Sequence, residues 1–396
     1  MAIEFELTQA QSQIREMIRW FARHEMRPIS LQADRDHAIP DDLLLKMKRS
    51  GISGGALSKR EREEGGQKVG ETNRMAVLAV EELAWGDPAA ILSVPGPGLG
   101  GPPVRFMGTE AQKARFFAIF EEEEMSWGAY ALTEPGAGSD VSGIRASCRK
   151  EGDQWVINGT KCFITNGARA AWVVCFATVD PSLGRAGHRA FVVERGTPGF
   201  RVGRIEEKMG LRASETAELI FENCRVPEEN LLGGEDYYTR KEGFVGAMKT
   251  FDSTRPMVAS MAVGIGRAAL EIGQDFFKAH YMTGRPIARY RRIASALAQS
   301  QRELDAARLL CWRAAWMADH QMPNAREAAM SKAYAPPVAQ RACRRALQLM
   351  AASGVTGDLL VEKLFRDVKV YDIFEGTGQI QRIVIAKRLI HNLGRF

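Results

Sequence analysis

Apolar and polar positions recur along this chain with two different periods, and the switch between them divides it into three parts. Ile14, Met17, Ile18 and Phe21 follow at helical spacing behind Thr8 and Gln11, a pair with capping-box separation. The same period predicts helices over 41–50 and 73–83, with a charged, glycine-rich surface loop between them at 58–70. Residues 93–104 read S-V-P-G-P-G-L-G-G-P-P-V, a density of Gly and Pro that opposes regular helix. Either a loop crosses here or a broken helix lines a cavity. An amphipathic stretch at 110–120 runs into Glu121, Glu122, Glu123 and Glu124, which read as a solvated helix end.

Near Ser126 the texture turns to strands and stays so to about Leu232. Residues 155–164 place apolar arms on both sides of Asn158-Gly159, a hairpin signal. The continuous apolar run at 171–177 predicts a buried strand, and 190–193 and 219–221 continue the series. After Gly243 the helical period returns. Val258, Ala262, Ile265 and Ala269 mark one helix, and Leu304, Ala307, Leu310 and Ala314 another. Residues 328–349 predict a third, broken at Pro336-Pro337. Long helices with Ala- and Leu-rich faces suggest a bundle. The expected organisation is α+β and multidomain: helical at 1–125, a β domain at 126–235 and a helical bundle at 236–396.

The bundle's last part contains a conspicuous interruption. Leu360, Leu364 and Val368 share one helical face, the pattern halts at Phe374-Glu375-Gly376, and Thr377 can cap a new helix carrying Ile380, Ile383 and Ile390. A carboxylate beside an aromatic at such a break would be partly desolvated. Its pKa would rise, which suits a proton acceptor. A solvated loop glutamate is the alternative.

Composition narrows the function classes. A chain of 396 residues with 45% hydrophobic content can bury large cores. The net charge of +6 is spread along the chain, densest at 285–292 (R-P-I-A-R-Y-R-R), and is no concentrated nucleic-acid-binding domain. No segment has the length of apolar chain that a membrane span needs, and the acidic N-terminus lacks the features of a signal peptide. Six scattered cysteines without a C-x-x-C pair point to reduced thiols and a cytoplasmic setting. The six histidines form no ligand cluster, so no metal is expected.

Two further clusters have chemical character. Residues 130–140, Y-A-L-T-E-P-G-A-G-S-D, combine hydroxyls with a glycine-opened turn where backbone N–H groups can approach a ligand. Neither a dinucleotide fingerprint, a phosphate-binding P-loop nor a nucleophile elbow is present. At F-I-T-N-G, beginning with Phe163, an aromatic stands two residues before a hydroxyl at a strand end. It could stack on a planar cofactor or simply pack.

Taken in order, these clusters resemble the signatures of the acyl-CoA dehydrogenase flavoprotein family. The resemblance spans essentially the whole chain: Y-A-L-T-E-P-G-A-G-S-D at Tyr130, F-I-T-N-G at Phe163, D-S-T-R-P at Asp252, and the segment from Val361 through Y-D-I-F-E-G-T-G-Q-I-Q-R. It implies an N-terminal helical domain, a middle β domain and a C-terminal four-helix bundle, assembled as a homotetramer or dimer around FAD. It further implies α,β-dehydrogenation of an acyl-CoA to the trans-2-enoyl-CoA, with Glu375 removing the α-proton and flavin N5 accepting the β-hydride. Electron-transfer flavoprotein would be the partner, without nucleic acid or membrane.

By the same resemblance, Tyr130, Leu132, Thr133, Phe163, Thr165, Gln348, Thr377 and Gln379 would meet the FAD. Ser139, Asp252, Arg255 and Gly376 would lie along the substrate. Some relatives carry the base on the helix after the β domain, where this chain has Thr254 instead.

Two departures stand out. The family's R-x-x-F-G becomes His280-Tyr281-Met282-Thr283-Gly284, without the diphosphate-binding arginine, and its Q-x-x-G-G becomes Gln348-Leu349-Met350-Ala351-Ala352. Arg291 or Arg292 is the expected replacement for the missing charge. Acyl-CoA oxidases and other flavin enzymes share the fold, and a DNA-associated relative would fit the positive charge. A desulfinase would be expected to lack Glu375.

Overall fold

The computed structural model describes residues 3, 5–51, 72–239, 243–281 and 290–393, with side chains of the helix starting at Gly243 described from Thr254 onward. The expected loop at 58–70, residues 285–289 of the basic run, and the side chain of Asp252 lie outside what it describes.

The N-terminal part is helical: α1 (Gln9–Phe21), α2 (Ser30–Asp36), α3 (Asp41–Arg49), α4 (Thr72–Gly86), α5 (Pro88–Ser93), α6 (Gly101–Met107) and α7 (Glu110–Ala118). The capping box of α1 forms: Thr8 accepts from the Gln11 N–H at 3.2 Å, and the Gln11 side chain accepts from the Thr8 N–H at 3.0 Å. A second box, Thr109 with Gln112, starts α7. In the Gly/Pro stretch, Pro102 and Pro103 fall in the first turn of α6, where a missing N–H donor costs nothing. The stretch is a broken helix, with a 3₁₀ turn at Gly98–Gly100 leading into α6.

Seven strands follow: β1 (Gly128–Ala131), β2 (Ser147–Glu151), β3 (Gln154–Thr165), β4 (Trp172–Thr178), β5 (His188–Glu194), β6 (Phe200–Ile205) and β7 (Thr216–Pro227). β2, β3, β7 and β6 pair antiparallel in that order, and β4 lies parallel to β1 and antiparallel to β5. A single register pair, Ser147 with Thr178, joins β2 to β4. Every residue of β4 is buried. Val173, Cys175 and Ala177 face one core, while Trp172, Val174 and Phe176 face a second one beneath α6 and α7, which explains the uninterrupted apolar run.

The expected hairpin at Asn158-Gly159 is not there. β3 runs straight through both residues, and the chain reverses earlier, at the two-residue turn Gly152-Asp153 between Glu151 and Gln154. Gly152 has φ 64°, which a tight hairpin turn of this kind requires. Asn158 instead sits at a register shift, donating to and accepting from Asn223 of β7. Gly159 is required by close approach: a Cβ there would lie 2.6 Å from the Ala146 Cβ.

After the short α8 (Glu235–Thr239), the C-terminal part comprises α9 (Gly243–Tyr281), α10 (Arg291–Asp319), α11 (Ala325–Met350), α12 (Leu360–Asp367) and α13 (Gly378–Leu393). Against expectation, α11 continues through Pro336-Pro337. Ala335, Val338 and Ala342 pack into one core and Ala339, Cys343 and Ala346 into another, so burial on two sides holds the helix despite two missing N–H donors. The core of Ala339, Cys343 and Ala346 joins the N-terminal helices to α12 and to Tyr371.

Ion pairs lock the three parts together. Lys363 is fully buried and donates to Asp87 at 2.9 Å and Asp367 at 2.6 Å. Asp87 also accepts from Ser30, and Asp367 accepts from the Leu211 N–H at 2.6 Å.

Candidate active site

The site is assembled from three chain segments. α12 passes into a short 3₁₀ turn (Val368–Asp372), and the chain then breaks at Phe374-Glu375-Gly376 before Thr377 caps α13 by accepting from the Ile380 N–H at 3.3 Å. Glu375 has φ 56° and Gly376 φ 88°. The left-handed conformation is costly for a residue with a side chain, and such strain collects at functional sites. It projects the half-buried Glu375 carboxylate toward α9, where the Thr254 hydroxyl donates to Oε2 at 3.0 Å. Burial raises the pKa of Glu375. The Thr254 hydrogen bond and the charges of Lys332 and Arg255 draw it back.

Two buried side chains hold this turn, and neither was identified from the sequence. Lys332 of α11 donates to the carbonyls of Tyr371 at 2.6 Å and Gly376 at 3.3 Å. Gln381 of α13 donates to the carbonyls of Glu375 at 3.3 Å and Gly376 at 3.1 Å. A motif reading stops at Gln379, which is exposed, whereas the buried partner lies two positions further on. The only hint was a lysine inside an otherwise apolar helix face. Tyr130, on β1, has its hydroxyl pKa raised by burial and then by the Glu375 charge. The Tyr130 strand and the Glu375 turn are thus within electrostatic reach of each other.

The second segment is the turn after β1. Glu134, buried, accepts from the N–H groups of Arg145 at 2.7 Å and Ala146 at 2.9 Å, and from the ammonium of fully buried Lys161 at 2.7 Å. Lys161 also donates to the Leu132 carbonyl at 3.0 Å. These contacts fix the backbone of Leu132 and Thr133. The Cys162 N–H then donates to the Thr133 carbonyl at 2.9 Å and ties this turn to the third segment.

There, β3 shifts register between Lys161 and Ile164. Phe163 sits at the shift with φ 59°, its ring 62% exposed, while Ile164 points into the core. An aromatic ring held outside a sheet at a cost in backbone energy, with Thr133 and Thr165 half-exposed beside it, suits a flat, partly apolar ligand edged with hydrogen-bond acceptors. These residues fit a flavin ring.

The remaining expected residues are more scattered. Arg255 is buried on α9 close to the carboxylate. Ser139, Gln348 and Gln379 are exposed, and among the described residues no hydrogen bond joins them to Glu375. Ala351, where the family pattern has glycine, has φ 47° and ψ −131°, a conformation that glycine adopts freely and alanine does not. Arg291 and Arg292 are exposed at the start of α10.

Comparison with known proteins agrees with the fold. The chain matches the family descriptions "Acyl-CoA dehydrogenase, N-terminal domain" over residues 8–120, "middle domain" over 129–224 and "C-terminal domain" over 241–390. It is 37% identical over 389 residues to the mitochondrial short-chain specific acyl-CoA dehydrogenase of Rattus norvegicus, covering 98% of this chain and 92% of that one. The solved structure of butyryl-CoA dehydrogenase from Megasphaera elsdenii is 34% identical with a TM-score of 0.88, covering 98% of this chain and all of that one. A structure described as the electron transferring flavoprotein of Acidaminococcus fermentans is 37% identical with a TM-score of 0.87 and covers 98% of this chain and all of that one. A helical, β, helical fold shared with these enzymes defines an oxidoreductase of the flavin-dependent class. The chain belongs to the acyl-CoA dehydrogenase family.

Proposed function

We propose that Glu375 is the base with which this acyl-CoA dehydrogenase removes the α-proton of an acyl-CoA thioester. The observation that supports this most directly is the left-handed turn presenting a half-buried carboxylate, raised in pKa by burial and held by Thr254. A base with a pKa moved toward neutrality matches its task better than a free carboxylate. The backbone N–H of Glu375 would donate to the thioester oxygen and stabilise the charge that develops as the α-proton leaves. Gly376 would lie beside the thioester, and Arg255, Asp252 and Ser139 would position the rest of the substrate.

FAD is the flavin we infer. When bound, it supplies the acceptor for the β-hydrogen, taken as hydride, so that the product is the trans-2-enoyl thioester. Phe163 and Leu132 would cover the ring, Tyr130, Thr133 and Thr165 its edge, and Gln348, Thr377 and Gln379 the remainder of the cofactor. A short acyl chain is supported by the short-chain specificity of the rat relative. Electron-transfer flavoprotein as the acceptor is supported by the Acidaminococcus structure. Association into a dimer or tetramer is supported by Ile383 and Ile390, which stand 49% and 67% exposed on the apolar face of α13. Six free, buried cysteines suit a reducing compartment such as the cytoplasm.

Anaerobic titration with butyryl-CoA is the test. Bleaching of the bound flavin by the parent protein, and its loss in Glu375→Gln with flavin still bound, is the expected result. Absence of bleaching by any acyl-CoA would overturn the substrate assignment, and full-rate bleaching in the Gln variant would overturn the base.

A further inference from the structure

The turn that carries Glu375 has an unusual polar accounting. Between residues 371 and 376 the chain leaves a 3₁₀ turn, passes through two positive-φ residues and enters α13, so several carbonyls have no partner along their own backbone. Buried carbonyls must find a donor or lose about 1–3 kcal/mol each. One donor reaches both sides of the break: Lys332 Nζ, on a side chain with no exposed surface, bonds Tyr371 O at 2.6 Å and Gly376 O at 3.3 Å. It therefore brackets Glu375, four residues on one side and one on the other.

A neutral donor would satisfy those carbonyls, and Gln381 already reaches Gly376 O in that way. An ammonium without exposed surface is a costlier choice, because removing a charge from water must be offset by charges nearby. Those charges are present. Lys332 faces Asp372 and Glu375, with Arg255 opposing. Glu375 is faced by Thr254 and Arg255 from α9, Lys332 from α11 and Tyr130 from β1. Burial pulls the Lys332 ammonium down to about 8, against the pull of the two carboxylates. The charged form of the group is thus favoured by Asp372 first and then by the same carboxylate that is expected to do the chemistry.

We infer that Lys332 is the positioning residue of the active site: its two hydrogen bonds hold the Glu375 turn in the left-handed conformation, and its charge keeps the carboxylate ionised in a half-buried setting. Lys332 need not touch the substrate, and its effect is exerted through Glu375. The inference rests on the reading of Glu375 as the base.

The test uses the intact flavoprotein, stopped-flow flavin reduction by saturating butyryl-CoA, and its pH profile. Lys332→Met keeps the length and removes donor and charge. Lys332→Gln keeps a donor without the charge, and Lys332→Arg keeps both. The Met variant is expected to reduce flavin about 10–100-fold more slowly, as a misplaced catalytic group does, with a much smaller change in butyryl-CoA affinity. Its acid limb should move up by about one unit, since an attractive charge beside the carboxylate is gone. The Gln variant should share the pH shift but lose less rate, and the Arg variant should return the limb toward the parent's.

Parent rate and parent acid limb in the Met variant would overturn the inference. If the Met variant does not retain flavin, the Gln and Arg variants decide, and identical limbs in those two would overturn it equally. Glu375→Gln, measured alongside, separates the two readings. Full activity there removes the base assignment, whereas loss of activity there with an unaffected Lys332 series removes only the positioning role.

Discussion

The Thr254 hydroxyl donates to Glu375 Oε2 at 3.0 Å across a sequence separation of 121 residues. This hydrogen bond favours the ionised form of a carboxylate whose pKa burial raises. Thr254→Ala should therefore raise that pKa further. Proton removal needs the carboxylate, so the acid limb of flavin reduction should shift to higher pH, and the rate at neutral pH should fall about 10-fold, as for the loss of a hydrogen bond to a charged group. A pH–rate profile checks this, and an unmoved limb would contradict it.

Substitution at Phe163 can test the proposed cofactor contact apart from stability. Its ring is 62% exposed and its φ is 59°, so Phe163→Gly loses little buried area and relieves a left-handed backbone. Relief and the added entropy of glycine nearly offset, leaving stability within about 1 kcal/mol of the parent. Flavin retention on gel filtration should nevertheless drop sharply. A variant that keeps its flavin would argue against the ring as the stacking surface.

At Ala351 the strain runs the other way. The backbone there, φ 47° and ψ −131°, is a glycine conformation occupied by alanine. Ala351→Gly should stabilise the protein by about 1–2 kcal/mol, read by denaturant unfolding. If FAD approaches this corner, it should also bind more tightly.

The two exposed arginines at the start of α10 are expected to supply the charge missing from the family's arginine position. Ala substitution of Arg291 and Arg292 together should weaken FAD retention most at raised ionic strength, where the remaining attraction is screened. Unchanged retention at all salt concentrations would remove them from the site.

Buried charge makes the junction of the three parts fragile. Lys363→Met leaves the Asp87 and Asp367 carboxylates facing each other without their cation, a loss of about 3–5 kcal/mol. Burial already holds Asp367 above its ordinary pKa, and the substitution raises it further. An acid whose folded pKa lies above its unfolded value is best tolerated when protonated. The cost should grow as pH rises above the ordinary carboxylate range, and unfolding midpoints at acid and neutral pH measure it.

Periodicity and capping chemistry determined much of this protein, because they are settled within a few residues. The α1 capping box, the doubly buried run of β4, the helical, β, helical order and the break at Glu375 were all legible in the sequence. Where the pattern failed, a distant neighbour had decided the outcome. Asn158-Gly159 carries a hairpin signal, yet Ala146 and Asn223 make it part of a continuous strand, and α11 passes through two prolines because cores on both sides hold it. The roles of Lys332 and Gln381 were invisible for the same reason: a buried lysine or glutamine gains a function only when folding brings it to carbonyls that lack a donor. The sequence by itself determined which carboxylate stands at a break. Only the tertiary structure decided what surrounds it, because burial, hydrogen bonding and opposing charge belong to contacts between segments far apart along the chain.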